Sequence, residues 1–424
     1  MAQLTYREAV AAGIAQEMER DPRVVLLGED VGPQGGVFKT TVGLFARFGP
    51  ERVWDTPISE QAILGSAMGA AMTGLRPVAE IMFSDFLAVC WDVVANQMAK
   101  MRYMTDGQVT VPVVIKTGNG GGLRFGAQHS QALENWAMAV PGIKVVAPAT
   151  PADVKGLMAS AIRDPDPVLF FEAKALYGTS GEVPEGECVE PLGVAKIVRP
   201  GSHCTLVALG PMVPRSLEAA EQLAAAGIDA QVIDVRSLVP LDTRTILGAI
   251  SATSRAFTVE ENPRLCGWGA EIASLAGEEC FYDLDGPIVR ITLANARRAR
   301  RSPSRHLHLR VDRGDARLRT LRYGRRRGRE QDCGRVRIVL QRDGPTHDHG
   351  RAFAAAQDHA RRRSAPLRRH AHARGGRRNL GRLGRRRHRG RRERPRPGRH
   401  DPDAGRRRTR GDELRLPGAR RDAE

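Results

Sequence analysis

The stretch Asp55-Thr-Pro-Ile-Ser-Glu60 sets a carboxylate just past a proline and a serine, at the head of a run of small residues, Gly65-Ser-Ala-Met-Gly-Ala-Ala-Met-Thr-Gly74. A serine cap and an acid in the first turn suit any helix start, because both answer the unpaired N–H groups and the dipole. The helix that follows is too smooth for ordinary surface. Further on come Glu80-Ile-Met-Phe-Ser-Asp-Phe86, the glycine-rich Gly118-Asn-Gly-Gly-Gly122, and Ala127-Gln-His-Ser-Gln131. On its residues alone, Phe86 also fits a core position at a helix start. His129, one of two histidines before residue 295, lies in a polar loop where it is uncovered and able to exchange protons. The glycines lack both the Gly-x-x-x-x-Gly-Lys-Ser/Thr and the Gly-x-Gly-x-x-Gly spacing, so they read as a mobile loop delivering His129 and not as a nucleotide cradle.

The elements that must carry these groups alternate. Apolar residues at helical spacing follow Thr5 as far as Arg20, and Arg23–Leu27 is a buried strand ending in Gly28-Glu-Asp30. A helix from Glu60, strand 77–81, a long helix 86–103, strand 111–115, a helix near Asn135, strand 144–147, helix 151–163 and strand 168–171 complete the series. Strands that are apolar throughout and separated by helices predict a parallel sheet covered on both faces, in an α/β domain over residues 1–180. Residues 181–190, rich in Gly, Glu and Pro, read as an exposed linker. A second, smaller α/β domain occupies 191–294, with strands 205–210, 230–235 and 255–259 and helices 214–226 and 241–250. It lacks an expected final strand and helix after Ile291.

Composition divides the 424 residues near position 295. Residues 1–294 hold 23 Lys and Arg against 34 Asp and Glu, whereas 295–424 hold 43 against 14, all 43 being arginine. The formal charge of +18 therefore belongs to the tail, which has too little apolar content to repay ordering and is expected to be disordered. Six cysteines form no CxxC pair, so neither a zinc site nor a disulfide framework is indicated. No segment is long enough to span a bilayer and no leader is recognisable, which places the chain in the cytoplasm. Arg325–Arg327 and Arg385–Arg392 raise the alternative of nucleic-acid binding. With Tyr323 and Phe353 the only tail aromatics, such binding lacks stacking platforms and is not favoured.

Taken in order and at these intervals, the motifs at 55–60, 65–74, 80–86, 118–122 and 127–131 resemble the beta subunit of the thiamine-diphosphate-dependent E1 component of 2-oxo-acid dehydrogenase complexes, the pyruvate, branched-chain and acetoin group. The resemblance spans roughly residues 3 to 293. It implies two parallel-sheet domains of transketolase type, a pyrimidine-binding domain followed by a transketolase C-terminal-like domain. It also implies decarboxylation of a 2-oxo acid, or cleavage of acetoin, with transfer of the acyl group to the lipoyl domain of an E2 acyltransferase. By the same resemblance Glu60 holds N1′ of the aminopyrimidine so that the cofactor can lose its C2 proton. Phe86 stacks on that ring, His129 lies at the mouth of the site, and Glu29 lies near the cofactor. Val113, Ala161, Ile162, Asp164 and Asp166 match a structural potassium site, although Asp164-Pro-Asp-Pro167 also fits a plain helix-ending turn. The family binds the diphosphate and Mg²⁺ through Gly-Asp-Gly, a motif this chain lacks. An E1 alpha subunit must then supply that half, in an alpha2beta2 heterotetramer.

The tail reads as an out-of-frame translation of a GC-rich gene, entered between Thr292 and Arg297. Wrong frames of such genes yield Arg, Gly, Ala, Pro and His, and almost exclude lysine, whose codons begin with two adenines. Resequencing the gene across this junction is expected to reveal one inserted or deleted base that restores a short family-like C-terminus. A clean in-frame read reproducing residues 295–424 overturns this reading.

Overall fold

The computed structural model describes residues 1–123 and 125–293, and by backbone alone His308–Asp312 and Arg337–Gln341. In chain order the first part comprises β1 (Ala2–Thr5), α1 (Tyr6–Arg20), β2 (Val24–Gly28), α2 (Leu44–Phe48), β3 (Val53–Asp55), α3 (Glu60–Met72), β4 (Arg76–Phe83), α4 (Leu87–Asp92), a π-helical turn (Val93–Met98), α5 (Ala99–Met104), β5 (Val114–Asn119), α6 (Glu134–Met138), β6 (Lys144–Val146), α7 (Pro151–Arg163), β7 (Val168–Ala173) and β8 (Ser180–Val183). The second part comprises β9 (Lys196–Arg199), β10 (Cys204–Ala208), α8 (Met212–Ala224), β11 (Ala230–Asp234), β12 (Ser237–Val239), α9 (Thr243–Thr253), β13 (Ala256–Pro263), α10 (Gly269–Glu279) and β14 (Val289–Leu293). The two backbone-only segments pair antiparallel with each other. Otherwise the Arg-rich segment, with its expected disorder and frame change, lies outside the described residues.

Seven strands form the main sheet in the order β12-β6-β7-β5-β4-β2-β3, and five form the second in the order β14-β13-β10-β11-β9. Within the main sheet every pairing is parallel except that of β12 with β6. Side-chain alternation sends successive residues of each strand to opposite faces. Val78, Val114, Val168 and Phe170 pack beneath α1 and α7, while Ala79, Ile81, Ile115, Leu169 and Phe171 join α3, α4 and the π turn on the other face. That second cluster continues into Val207, Ile233, Ile250 and Trp268 of the second part, so both sheets share one core.

Local chemistry sets the element ends. Thr5 and Glu8 form a reciprocal capping box at α1. Thr150 caps α7, with Pro151 at its first position. Ser59 precedes α3 as expected, but its side chain makes no capping bond. The strand expected at 111–115 starts three residues later, at Val114; Pro112 has no N–H for the ladder. The long helix expected over 86–103 is continuous but includes the π turn, and Asp92 accepts side-chain bonds from Asn96 (2.8 Å) and Gln97 (2.9 Å). The segment read as an exposed linker carries β8, which pairs antiparallel with β1 and buries Val183. β14 lies parallel to β13 at the sheet edge, and the strand and helix read as missing after Ile291 fall outside the described residues.

Gly142, between α6 and β6, has φ +102°, and a Cβ there would run into the carbonyl oxygen of Ala99. Gly142→Ala is expected to combine left-handed strain with overpacking, about 2–4 kcal/mol in all. The measurement is the thermal midpoint, which should fall by about 5 °C or more; an unchanged midpoint removes Gly142 as a constraint on the α5–β6 packing.

Candidate active site

Parallel strands all present their carboxyl ends at one edge, and in open α/β sheets ligands gather there, where the strand order reverses. The chain leaves β2 for the edge strand β3 and returns to β4 on the other side of β2. Each candidate follows such an end. Glu29 comes directly after β2, Glu60 after β3, Phe86 after β4, and His129 on the segment that leaves β5.

Glu60 opens α3 and is 9% exposed; Glu29 is equally buried. Among the described residues no donor reaches either carboxylate. Burial raises the Glu29 carboxyl above its ordinary value, and the charge of Glu60 adds to that, placing the two acids within electrostatic reach of one another. Cys90 is buried in α4, its thiol pushed up to about 12 by burial and then by Glu60. Its sulfur lies 3.7 Å from the Phe86 carbonyl oxygen, which ties the start of α4 to the Glu60 region. Two nearly buried carboxylates without donors among the described residues fit a ligand that brings its own ring nitrogens.

The aromatic wall depends on a bulge. Register shifts between Ile81 and Phe83 in the β4–β5 pairing, so Met82 and Phe83 both pack on the α1/α7 face, and a bulge of this kind re-aims a side chain. Phe83 meets Phe86 edge-to-face at 5.4 Å and Phe38 at 5.2 Å. The His129 ring stands edge-to-face against Phe83 (4.6 Å) and Phe86 (5.2 Å). Among the described residues its nitrogens form no hydrogen bond. The other histidine of this region, His203, is structural: its Nδ1 accepts the Asp229 N–H at 2.8 Å.

Beneath the wall lies a buried charge network. Glu80 of β4 and Lys116 of β5 are register partners and are paired in a short contact, with Thr40 at 3.1 Å and Glu172 of β7 at 3.2 Å from the same ammonium. Burial opposes the Lys116 charge, yet Glu172 and Glu80 outweigh it and hold its pKa above the ordinary value. The Tyr177 hydroxyl donates to Glu172 at 2.9 Å, and Lys174 donates to the Gly118 carbonyl at 3.0 Å with its ammonium 5.1 Å from the Phe83 ring centroid. Apart from Glu80, which opens the 80–86 motif, these residues were not singled out from the sequence. A charge inside the otherwise apolar runs 77–81 and 111–116 is the signal that could have found them.

The glycine-rich segment is pinned. Gln131 donates to Asp85 at 2.8 Å, Ser84 donates to the Gln131 carbonyl at 3.2 Å, and the Leu133 N–H donates to Asn119 at 3.1 Å. Glu134, at the head of α6, is 4% exposed, and its carboxyl is pushed up to about 7, chiefly by burial and further by the charge of Glu261. The expected potassium residues lie apart from this edge. The Ile162 carbonyl accepts from Arg76 at 2.7 Å and the Asp164 carbonyl at 3.3 Å. The Asp164 carboxylate binds Lys144, and Asp166 binds Arg102. Val113 and Ala161 are buried core positions.

Residues 2–179 match the family model of the transketolase pyrimidine binding domain, and residues 193–309 that of the transketolase C-terminal domain. The acetoin:2,6-dichlorophenolindophenol oxidoreductase subunit beta of Cupriavidus necator is 46% identical over 295 residues, covering 67% of this chain and 87% of that protein. The 2-oxoisovalerate dehydrogenase subunit beta of Bacillus subtilis is 44% identical over 292 residues (69% and 89%). The pyruvate dehydrogenase E1 component subunit beta of Acholeplasma laidlawii is 42% identical over 293 residues (69% and 90%). A solved structure described as a split gene transketolase, inactive beta4 tetramer, superposes with a TM-score of 0.58 at 27% identity over 69% of this chain and 90% of that one.

Because the folded chain holds the Glu134 proton more tightly than an unfolded chain does, this group favours folding most at low pH. That contribution is lost as pH rises from the ordinary glutamate range through about 7. Glu134→Gln is therefore expected to flatten the fall in thermal midpoint between pH 5 and 7.5, and to be the more stable protein at pH 8 by on the order of 2–3 kcal/mol. A residual slope should persist from Asp234, whose carboxyl burial pushes up to about 8. Parallel midpoint curves for variant and wild type overturn the assignment.

Proposed function

We infer the activity of this chain from the family it belongs to, the beta subunits of the thiamine-diphosphate-dependent E1 components of 2-oxo-acid and acetoin dehydrogenases. In this reading it is one half of an enzyme that decarboxylates a 2-oxo acid of the pyruvate type and passes the acyl group to a lipoyl domain. The supporting observation is the carboxyl edge itself: Glu60, nearly buried and without a donor among the described residues, follows one strand end, and an aromatic wall that carries His129 follows the ends of β4 and β5.

Thiamine diphosphate, when bound, would supply its C2 carbon as the nucleophile for the substrate's carbonyl. Glu60 holds and returns a proton at N1′ of the aminopyrimidine, and its low exposure keeps water from competing for that bond. Glu29, whose proton affinity is raised by burial and then by the charge of Glu60, is the second acid of the pair. Phe86 and Phe83 fix the ring plane and exclude solvent. His129, whose ring nitrogens bond to none of the described residues, exchanges a proton with substrate or lipoyl group at the mouth.

The sequence has no Gly-Asp-Gly, the motif through which the family binds the diphosphate. The diphosphate and Mg²⁺ site is therefore assigned to an alpha subunit in an alpha2beta2 assembly, with a lipoyl acyltransferase as the next partner. The description of the split transketolase's beta4 tetramer as inactive supports this division. Acetoin and branched-chain 2-oxo acids are the second readings for substrate, because relatives named for all three lie at 42–46% identity. A potassium ion at the Asp164–Asp166 turn is retained as a stabilising partner, to be seen as a higher thermal midpoint in K⁺ than in Na⁺.

The isolated beta chain is expected to turn over none of pyruvate, 2-oxoisovalerate or acetoin, with activity appearing only on addition of the alpha chain, thiamine diphosphate and Mg²⁺. Turnover by the beta chain alone overturns the split site. Within the complex, Glu60→Gln should slow turnover by about 10²–10⁴-fold and depress C2 hydrogen–deuterium exchange of the bound cofactor. His129→Ala should leave that exchange near wild type and slow lipoyl acylation. Unchanged C2 exchange in Glu60→Gln makes Glu60 structural.

A further inference from the structure

The Gly120 N–H donates to the Gln131 carbonyl at 2.8 Å, so the chain between them forms a closed loop whose neck lies at 120/131 and whose exit carries His129. Loops of this kind, with adjoining ends, are held by what grips the neck. Both sides of this neck are gripped from the second part of the chain, by consecutive residues of β13. On the entry side the Glu261 carboxylate accepts the Gly121 N–H at 2.7 Å. It lies so close over Gly120, φ +77°, that a Cβ there would collide with it. On the exit side Asn262, fully buried, donates through Nδ2 to the Ala132 carbonyl at 2.9 Å, and lies 3.2 Å from both Glu134 Oε2 and Asn135 Oδ1. Asn135 in turn donates to the Cys266 carbonyl at 2.8 Å, on the turn between β13 and α10.

We propose that Glu261 and Asn262 are positioning residues for His129: one clasp from the second sheet closes the loop neck and sets the imidazole against Phe83 and Phe86. The inference rests on His129 serving the acyl-transfer end of the reaction. The glycines at 120–122 thus have a use other than mobility. They let a carboxylate of the same chain approach the backbone, and a charge-assisted N–H bond of this kind is among the stronger ones available to a loop. The charge of Glu261 is also what adds to burial in raising the Glu134 carboxyl, so the clasp and the head of α6 respond to one another.

The test uses the assembled alpha–beta complex with a lipoyl domain as acceptor, carrying Glu261→Ala, Glu261→Gln or Asn262→Ala, each with and without His129→Ala. Glu261→Ala is expected to raise amide hydrogen exchange across Gly120–Leu133 and to slow lipoyl acylation about ten- to a hundred-fold, with C2 exchange of the bound cofactor at the wild-type rate. Glu261→Gln keeps an acceptor for the Gly121 N–H and should recover most of that loss. In the His129→Ala background Glu261→Ala should add less than about threefold, because the clasp acts through the imidazole. A multiplicative loss in that background, or unaltered amide exchange in the segment, overturns the proposal. Asn262→Ala carries the same comparison where Glu261→Ala fails to assemble. A wild-type complex without turnover, or a His129→Ala variant of full activity, defeats the functional reading instead, and the amide exchange then still decides whether the clasp exists.

Discussion

An ammonium group in the middle of a sheet covered on both faces has to be neutralised where it stands. Lys116 occupies such a position on β5, and its two carboxylate partners come from the strands on either side, Glu80 from β4 and Glu172 from β7. That arrangement exists only in one register: a slip of one residue in either pairing turns a carboxylate to the opposite face and leaves a charge buried alone. Register in turn fixes where each strand ends, and the strand ends fix Glu29, Phe83, Phe86 and the start of the glycine segment. Buried ion groups of this sort add little net stability over apolar packing. Here their consequence is geometric.

Much of the first sheet could be read from the sequence because apolar strands and capped helices alternate with regular spacing, and α1 and α7 carry their caps in plain view at Thr5 and Thr150. The departures share a cause. Lys116 and Asn119 are poor strand residues by composition, and they belong to β5 because Glu80 and the Leu133 N–H satisfy them from outside the segment. The π turn leaves no apolar period of its own, and β8 is too polar to announce itself until β1 lies beside it. At the candidate site, motif resemblance pointed to Glu60, Phe86 and His129, and the structure sets the Phe86 ring 5.2 Å from that of His129. What resemblance did not reach were residues whose meaning is purely relational. Phe83 joins the wall only through a bulge, and Glu261 and Asn262 matter only because another sheet brings them to the loop neck.

The two α/β parts are coupled more closely than a linker between them suggests. Their apolar residues form one cluster that runs from Ile115 and Phe171 to Val207 and Trp268. The polar contacts follow the same seam: Arg236, just after β11, binds Asp153 at the head of α7 and Glu190 in the connecting segment, both at 3.0 Å. Breaking one member of such a buried pair leaves the other unpaired and costs far more than an exposed bridge. The loop bearing His129 is therefore framed by two sheets folded as a single body.

β12 belongs to the second part by sequence and to the main sheet by hydrogen bonding, where it covers the edge of β6. A boundary drawn in the connecting segment near residue 190 thus cuts through a sheet. For anyone exchanging halves between relatives of this family, the two pieces are not interchangeable modules. The donor's Ser237–Val239 has to match the recipient's Lys144–Val146, and a mismatch leaves an unpaired strand edge, the usual starting point for chains adding to one another.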